Sequence, residues 1–70
     1  MKKITGKFEK DNNFTTVYFD NAIYTIAKNT GDWACVKVGE RTATGQILTQ
    51  EAFDKWASQC TDFGTFELSE

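Results

Sequence analysis

The dipeptide Asp20-Asn21 separates two alternating runs, and this arrangement constrains the fold of the chain more than any other feature. Residues 14–19 and 22–27 alternate apolar and polar side chains with the period of two that is typical of a strand. Asp and Asn both tolerate the positive φ that a two-residue hairpin turn requires. The pattern therefore predicts a tight antiparallel hairpin in which Phe19 pairs with Ala22 and Val17 pairs with Tyr24.

Two further alternating runs extend this hairpin into a meander. Residues 3–9 and 33–38 have the strand pattern, and turn residues at 10–13 and 28–32 separate them from the hairpin. We expect the first turn to span residues 10–13, so that Glu9 pairs with Phe14 and Ile4 lies opposite Phe19. Because cross-strand partners share a face, one face, called here the apolar face, should contain Ile4, Phe8, Val17, Phe19, Ala22, Tyr24 and Ile26. The fourth strand should add Ala34, Val36 and Val38 to it.

The opposite face of the predicted sheet, called here the mixed face, combines aromatic, charged and small polar side chains. It should contain Thr5, Lys7, Glu9, Phe14, Thr16, Tyr18, Ile23, Thr25 and Ala27, together with Trp33, Cys35 and Lys37 from the fourth strand. A one-residue slip in either hairpin would move every side chain of a strand to the other face. The two turns are assigned independently and give the same division, which supports the meander.

One helix is predicted in the C-terminal third of the chain. Thr49 is a suitable N-cap, and Phe53, Trp56, Ala57 and Cys60 recur at the spacing of one helical stripe. We expect this helix to lie on the apolar face, with a weak strand at residues 41–46 before it and a short strand at 65–68 after it. The predicted fold class is α+β, a single domain over residues 1–70. An antiparallel β-meander of four to five strands has one α-helix packed on one face and ends in a short C-terminal strand.

The composition argues against catalysis. The 70 residues include no histidine, so the usual general base at neutral pH is missing. Cys35 and Cys60 are far apart and form no metal-binding Cys-x-x-Cys pair, which leaves either two reduced thiols or a disulfide. Residues 39–45 contain two glycines but lack the Gly-Lys-Ser/Thr ending of a phosphate-binding loop. We therefore expect a protein that is not an enzyme and has no cofactor and no metal site.

The sequence contains no pattern of a secreted or membrane-spanning protein. Lys2 and Lys3 are basic, but no apolar run follows them, and no run approaches the ~20 apolar residues that cross a bilayer. We expect a cytoplasmic protein with no membrane partner.

The remaining candidate sites are surfaces. On the mixed face the predicted patch consists of Phe14, Tyr18, Ile23 and Trp33 beside Lys7 and Lys37, and aromatic clusters with polar rims are typical of binding sites. The net charge is −2, and residues 42–70 hold five acidic residues against the single cation Lys55. Glu51, Asp54 and Asp62 therefore mark a second candidate surface, on and after the helix.

Two functions fit these surfaces. The first is a small non-enzymatic protein-binding module, an inhibitor or regulator of a larger complex such as a host defence or transcription complex, of the type that phages and mobile elements encode. The second is a single-stranded nucleic-acid-binding protein that stacks bases on the aromatic side chains of the sheet. The sequence pI of about 5.0 argues against the second, because phosphate neutralisation normally dominates such binding. A homodimer also remains open.

Overall fold

The computed structural model describes residues 2–68 and contains a five-stranded antiparallel sheet and one short helix. The elements are β1 (Lys2–Lys10), β2 (Phe14–Phe19), β3 (Ala22–Ala27), β4 (Trp33–Lys37), α1 (Gln50–Ser58) and β5 (Asp62–Leu68). The strand order is β4-β3-β2-β1-β5, so the first four strands form a meander and the last returns beside the first. The α+β class predicted from the sequence is confirmed.

The hairpin at Asp20-Asn21 forms as predicted. Both turn residues have positive φ, 52° at Asp20 and 55° at Asn21, which is the conformation of a tight two-residue hairpin turn. Phe19 pairs with Ala22 and Val17 with Tyr24, so the predicted register of β2 and β3 is confirmed.

The first hairpin differs from the predicted register by two residues. Phe8 pairs with Val17, and Lys10 pairs with Thr15, whereas Glu9 does not pair with Phe14. The turn is tighter than predicted, because the Asp11 N–H donates to the Phe14 carbonyl at 2.9 Å and leaves only Asn12 and Asn13 between them. The Asp11 carboxylate supports this turn by accepting hydrogen bonds from the N–H groups of Asn13 and Phe14 at 2.8 and 2.7 Å. A shift by two residues keeps every side chain on its predicted face, so the division into faces survives the error.

The faces of β4 are the reverse of those predicted. Ile26 pairs with Trp33, and Tyr24 pairs with Cys35, which places Trp33, Cys35 and Lys37 on the apolar face and Ala34 and Val36 on the mixed face. The preceding turn sets this register, since the Ala27 N–H donates to the Asp32 carbonyl at 2.8 Å. Burial of the large ring of Trp33 stabilises the fold more than burial of the Ala34 methyl group would. The centroid of the Trp33 ring lies 5.8 Å from that of Tyr24.

The core lies on the apolar face of the sheet. Its buried side chains come from β1, β2, β3 and β5 and are Ile4, Val17, Ala22, Tyr24 and Leu68. Lys2 of β1 places its Nζ atom 5.8 Å from the centroid of the Tyr24 ring on β3, so its side chain reaches across β2.

Gly6 allows a close approach between β1 and β2. The described pairing of the two strands starts at the next residue, Lys7, opposite Tyr18. A Cβ atom at Gly6 would overlap the backbone carbonyl of Tyr18. Only glycine leaves room for this carbonyl.

The helix begins as predicted but contacts the other face of the sheet. The Thr49 hydroxyl accepts a hydrogen bond from the Ala52 N–H at 3.1 Å, which confirms the N-cap. The ring of Phe53 lies 5.7 Å from that of Tyr18, edge to face, and Tyr18 belongs to the mixed face. The expected position of α1 on the apolar face is thus wrong. Tyr18 gives the helix an aromatic partner on the mixed face.

The two weaker strand predictions also change. Residues 41–46 do not form a strand, and the segment has a single bridge between Arg41 and Ile47. The C-terminal strand is longer than the predicted residues 65–68, because β5 begins at Asp62. Its seven residues all pair with β1.

Candidate functional site

The residues predicted to form an aromatic patch are not assembled on one surface. Phe14 is 43% exposed at the start of β2. Tyr18 is half-buried beneath Phe53, and Ile23 is half-buried in β3. Trp33 is on the apolar face against Tyr24. The predicted platform of Phe14, Tyr18 and Trp33 for stacking bases is therefore wrong, because Trp33 lies on the opposite face of the sheet.

The predicted charged residues are exposed but dispersed. Lys37 is at the end of β4, on the apolar face, and therefore lies apart from Lys7 on the mixed face. Glu51 and Asp54 are exposed on α1, where Asp54 accepts a hydrogen bond from the Gln50 side chain at 2.9 Å. Asp62 begins β5 and is also exposed.

A groove between α1 and the mixed face brings together several of these residues with others that sequence reasoning missed. Its volume is about 350 Å³. The sheet contributes Gly6, Lys7, Tyr18 and Phe63, the helix contributes Phe53 and Ala57, and the turn between β2 and β3 contributes Asp20 and Asn21. Of the predicted partner-binding residues, Lys7 and Tyr18 line this groove. We call it the helix–sheet groove.

Phe63 is the most exposed large apolar side chain of the structure's described part, at 69%. It is on the mixed face of β5, opposite Lys7 of β1. The neighbouring cross-strand pairs on this face are complementary: Lys3 and Glu67 form an ion pair at 3.6 Å, and the hydroxyls of Thr5 and Thr65 are 2.8 Å apart. Phe63 breaks this series of matched pairs with an aromatic ring that projects into water.

The sequence carries a signal for Phe63. The residue lies between the predicted helix and the predicted strand at 65–68, in the segment Thr61-Asp62-Phe63-Gly64. Extending the alternation of residues 65–68 backwards by three residues places Phe63 on the same face as Thr65 and Glu67. An apolar side chain in an otherwise polar row of an edge strand is the pattern that marks it.

Two groups near α1 stay protonated near neutral pH. Burial raises the pKa of Tyr18, which lines the helix–sheet groove, and the neighbouring Cys60 and Glu9 raise it further. Cys60 lies outside the groove, and its thiol also has a raised pKa, first because of burial and then because of the Glu9 carboxylate. The Cys60 Sγ atom is 3.9 Å from Glu9 Oε2 and donates towards it. The groove therefore presents the Tyr18 side chain as a neutral phenol.

The two cysteines are free, which decides between the alternatives that the sequence left open. Cys35 is on the apolar face in β4, next to Tyr24. Cys60 is buried beside Glu9, on the mixed face of β1. The sheet itself separates the two thiols.

A second hollow lies at the other end of the helix and is mostly polar. Its volume is about 410 Å³, and its lining is Phe8, Glu9, Lys10, Gln59, Cys60, Thr61 and Asp62. Compared with this hollow, the helix–sheet groove is the more apolar surface and has the exposed ring of Phe63 in its wall. It is therefore the better candidate for a site that binds an apolar group.

Within residues 2–68, no three side chains of the metal-ligating types come together. The same part of the chain contains no helix of the length and apolarity that a bilayer crossing requires.

Comparison with known proteins gives no match. No protein-family model matches the chain, and the same holds for the curated proteins and the solved structures.

Proposed function

We propose that this chain is a small protein-binding module that uses the helix–sheet groove to occupy a surface of a larger protein or complex, as an inhibitor or regulator. The observation that carries the proposal is the exposure of Phe63 in the wall of an apolar groove. Aromatic side chains at the centre of an interface provide a large share of binding energy, since they bury much area and lose little conformational entropy.

The lining of the groove supports binding more than catalysis. Tyr18, Phe53 and Ala57 form an apolar floor and wall, while Lys7, Asp20 and Asn21 supply polar groups at its margin. This division into an apolar centre and a polar rim is typical of protein interfaces. The raised pKa of Tyr18 keeps its phenol neutral in the groove, which favours contact with an apolar side chain.

The test compares two exposed phenylalanines. Tagged chains with Phe63→Ser or Phe14→Ser are expressed in the native cell, crosslinked and recovered, and the crosslinked proteins are quantified by mass spectrometry. We expect Phe63→Ser to reduce the main crosslinked partner by about tenfold, a change of about 1.4 kcal/mol in binding. Phe14→Ser, outside the groove lining, serves as the control and should retain the partner.

A second variant separates a loss of binding from a loss of folding. Ala57→Arg fills the groove from the helix, where Ala57 is half-buried. It should also release the partner, and circular dichroism should show the unchanged fold of each variant. A partner that is retained by both Phe63→Ser and Ala57→Arg, but lost with Phe14→Ser, would contradict the groove as the binding site.

A further inference from the structure

β5 is an edge strand without the features that usually block one. It is the last strand in the sheet order, and its only described strand partner is β1. Among residues 2–68, no turn or loop exchanges a backbone hydrogen bond with Asp62–Leu68. The strand contains no proline and no lysine, two residue types that commonly protect an edge. Its outer backbone groups can therefore pair with another extended chain.

The opposite edge of the sheet, β4, is protected. The Lys37 N–H donates to the Glu40 carboxylate at 2.8 Å, and the Lys37 carbonyl accepts from the Glu40 N–H at 2.9 Å. β4 is also shorter, with five residues against seven in β5. Of the two edges, β5 is the one that is open to a further strand.

The charges along this edge are mixed, which favours an occupant that is mixed in the same way. Where β1 and β5 pair, β5 carries Asp62 and Glu67, and β1 carries Lys2, Lys3 and Lys7. Glu67 is already paired with Lys3 at 3.6 Å. A strongly acidic or strongly basic segment would meet like charges here, whereas a second copy of β5 brings both signs with its own β1.

Antiparallel self-pairing centred on Thr65 uses all seven residues of β5. In this register Thr65 lies opposite Thr65 of the second copy, and Asp62 lies opposite Leu68 of the second copy. A centre of pairing at any other residue leaves part of the strand unpaired. The two copies are related by a twofold axis perpendicular to the sheet, so the mixed face of one continues into the mixed face of the other.

On the mixed face, this register sets no like charges opposite each other. The exposed ring of Phe63 lies opposite Glu67 of the second copy, and the two Thr65 side chains form a Thr–Thr pair, a favourable cross-strand combination. The row across the two sheets then reads Lys7, Phe63, Glu67 of the second copy and Lys3 of the second copy. Each Glu67 keeps the ion pair that it forms within its own chain.

On the apolar face, no two rings and no two carboxylates meet. Phe66 lies opposite Gly64 of the second copy, so the half-buried ring faces a residue without a side chain. Asp62 lies opposite Leu68 of the second copy, with Lys2 of the second copy on the next strand. The sequence of β5 is thus complementary to itself on both faces.

We propose that two copies of this chain associate through β5, as antiparallel edge strands centred on Thr65 that join two five-stranded sheets into one. The inference does not rest on the proposed function, since Thr65 is not part of the lining of the helix–sheet groove. The contact is one strand wide, so the dimer is weak and its population depends on concentration. Both helix–sheet grooves lie on the same side of the joined sheet.

Sedimentation equilibrium measures the association directly. The apparent mass should rise from the 7.9 kDa of one chain towards twice that value as the concentration increases. We expect the rise between about 10 µM and about 1 mM, the range of a small interface. A chain that keeps the mass of a monomer throughout this range overturns the inference.

Charge variants at the centre of the pairing test the register. Thr65→Lys sets two ammonium groups directly opposite each other and should weaken association by about fivefold or more. Thr65→Glu should weaken it in the same way. An equal mixture of the two variants sets opposite charges face to face and should restore association. If the mixture associates no better than either variant alone, pairing centred on Thr65 is overturned.

Thr5→Lys is the matched control, because Thr5 shares the hydroxyl contact with Thr65 but lies one strand inside the edge. It should leave association within about twofold of the unmodified chain, since the two Thr5 positions are three strand spacings apart. Circular dichroism should show the same fold for all variants. Equal weakening by Thr5→Lys and Thr65→Lys would overturn the edge as the site of contact.

Amide hydrogen exchange, measured by nuclear magnetic resonance, locates the contact. Raising the concentration of the labelled chain should slow exchange at every second amide of β5, because alternate N–H groups point away from β1. The amides of β4 should not change. Protection at β4 instead of β5 would overturn the assignment of the edge.

Two groove variants separate this inference from the proposed function. Ala57→Arg fills the groove and should leave the dimer intact, so a dimer that Ala57→Arg abolishes and Thr65→Lys does not would overturn pairing through β5. Thr65→Lys should retain the crosslinked cellular partner. If the chain stays monomeric while Phe63→Ser still releases that partner, the edge inference alone fails. If the dimer forms through Thr65 while Phe63→Ser retains the partner, the proposed function alone fails.

Discussion

Gly6 is the residue at which the backbone of this fold leaves no room for a side chain. A methyl group there would overlap the carbonyl of Tyr18, a backbone atom that cannot move without displacing β2. We expect Gly6→Ala to lower the free energy of unfolding by about 2–3 kcal/mol, in the upper range for an overpacked site. Urea denaturation followed by circular dichroism measures this loss.

Gly64 is the matched control, because it pairs with Gly6 across β1 and β5. A Cβ atom at Gly64 would lie 3.1 Å from a ring carbon of Phe8, a side chain that is able to shift. Gly64→Ala should therefore cost less than about 1 kcal/mol. Equal losses at both positions would show that the cost at Gly6 does not arise from the close approach to Tyr18.

Cys60 gives the molecule a stability that depends on pH. Burial raises its pKa in the folded chain, and Glu9 adds to the effect. The unfolded chain loses the thiol proton near a pKa of about 8.5, while the folded chain still holds it. The folded state then binds more protons, so the free energy of unfolding is fully present below this pH and falls as the pH rises above it. Urea midpoints measured between neutral and alkaline pH should show this fall.

Glu9 and Lys7, two of the charged neighbours of Cys60, should shift its pKa in opposite directions. In a Cys35→Ser background, the pH dependence of thiol alkylation reports Cys60 alone. Glu9→Gln should lower the pKa of Cys60, because the carboxylate raises it, and Lys7→Gln should raise it, because the ammonium lowers it. Shifts of the same sign for both variants would contradict this arrangement of charges around the thiol.

At the scale of elements, one aromatic pair connects α1 to the sheet. Phe53 and Tyr18 meet edge to face at 5.7 Å, and the Gln50–Asn21 hydrogen bond at 3.2 Å joins the helix to the β2–β3 turn. We expect a double-mutant cycle of Phe53→Leu and Tyr18→Leu to give a coupling energy of about 1 kcal/mol. A coupling near zero would mean that the helix is held to the sheet by other contacts.

The N-cap of α1 should contribute separately. Thr49→Ala removes the acceptor of the Ala52 N–H and should cost about 1 kcal/mol of stability. Thr61→Ala is the control, since Thr61 is exposed and lies outside the helix. Thermal unfolding of the two variants compares them directly, and a loss at Thr61 as large as that at Thr49 would contradict the assigned role of the cap.

Local patterns were sufficient to predict β1 to β4 and α1 but not all of their faces. The alternation and the Asp20-Asn21 turn determine β2 and β3 to the residue, and Thr49 marks the helix start, because each of these signals acts over a few neighbouring residues. The face of β4 depends on the turn that ends at Asp32, whose hydrogen bond to Ala27 has no marker in the sequence. An error of one residue in the predicted register of β4 is enough to place Trp33 on the wrong face of the sheet.

The position of the helix and the groove depends on the shape of the whole molecule, which local patterns do not encode. The groove combines Tyr18 of β2, Lys7 of β1 and Phe63 of β5 with the helix, which requires β5 to pair with β1 from the other end of the chain. Lys7 and Tyr18 were assigned to a binding surface, and both line the groove. Phe63 was not assigned to a binding surface, since its exposure follows from the length of β5.

The same long-range pairing sets the order in which the molecule should fold. The β2–β3 hairpin joins neighbouring residues, whereas β1 and β5 bring together segments such as Lys2 and Leu68 from opposite ends of the chain. Closing so long a loop costs more entropy than closing a hairpin. We therefore expect β2 and β3 to be structured in the folding transition state and the pairing of β1 with β5 to follow it.

Val17 and Ile4 test this order, because both are fully buried and belong to the two different pairings. Val17→Ala should mainly slow folding, with a φ-value above about 0.5, and Ile4→Val should mainly speed unfolding, with a φ-value below about 0.3. Stopped-flow chevron plots, followed by the fluorescence of Trp33 and Trp56, measure both. A high φ-value at Ile4 with a low one at Val17 would mean that the ends of the chain meet first, and that the edge strand β5 is formed before the hairpin it extends.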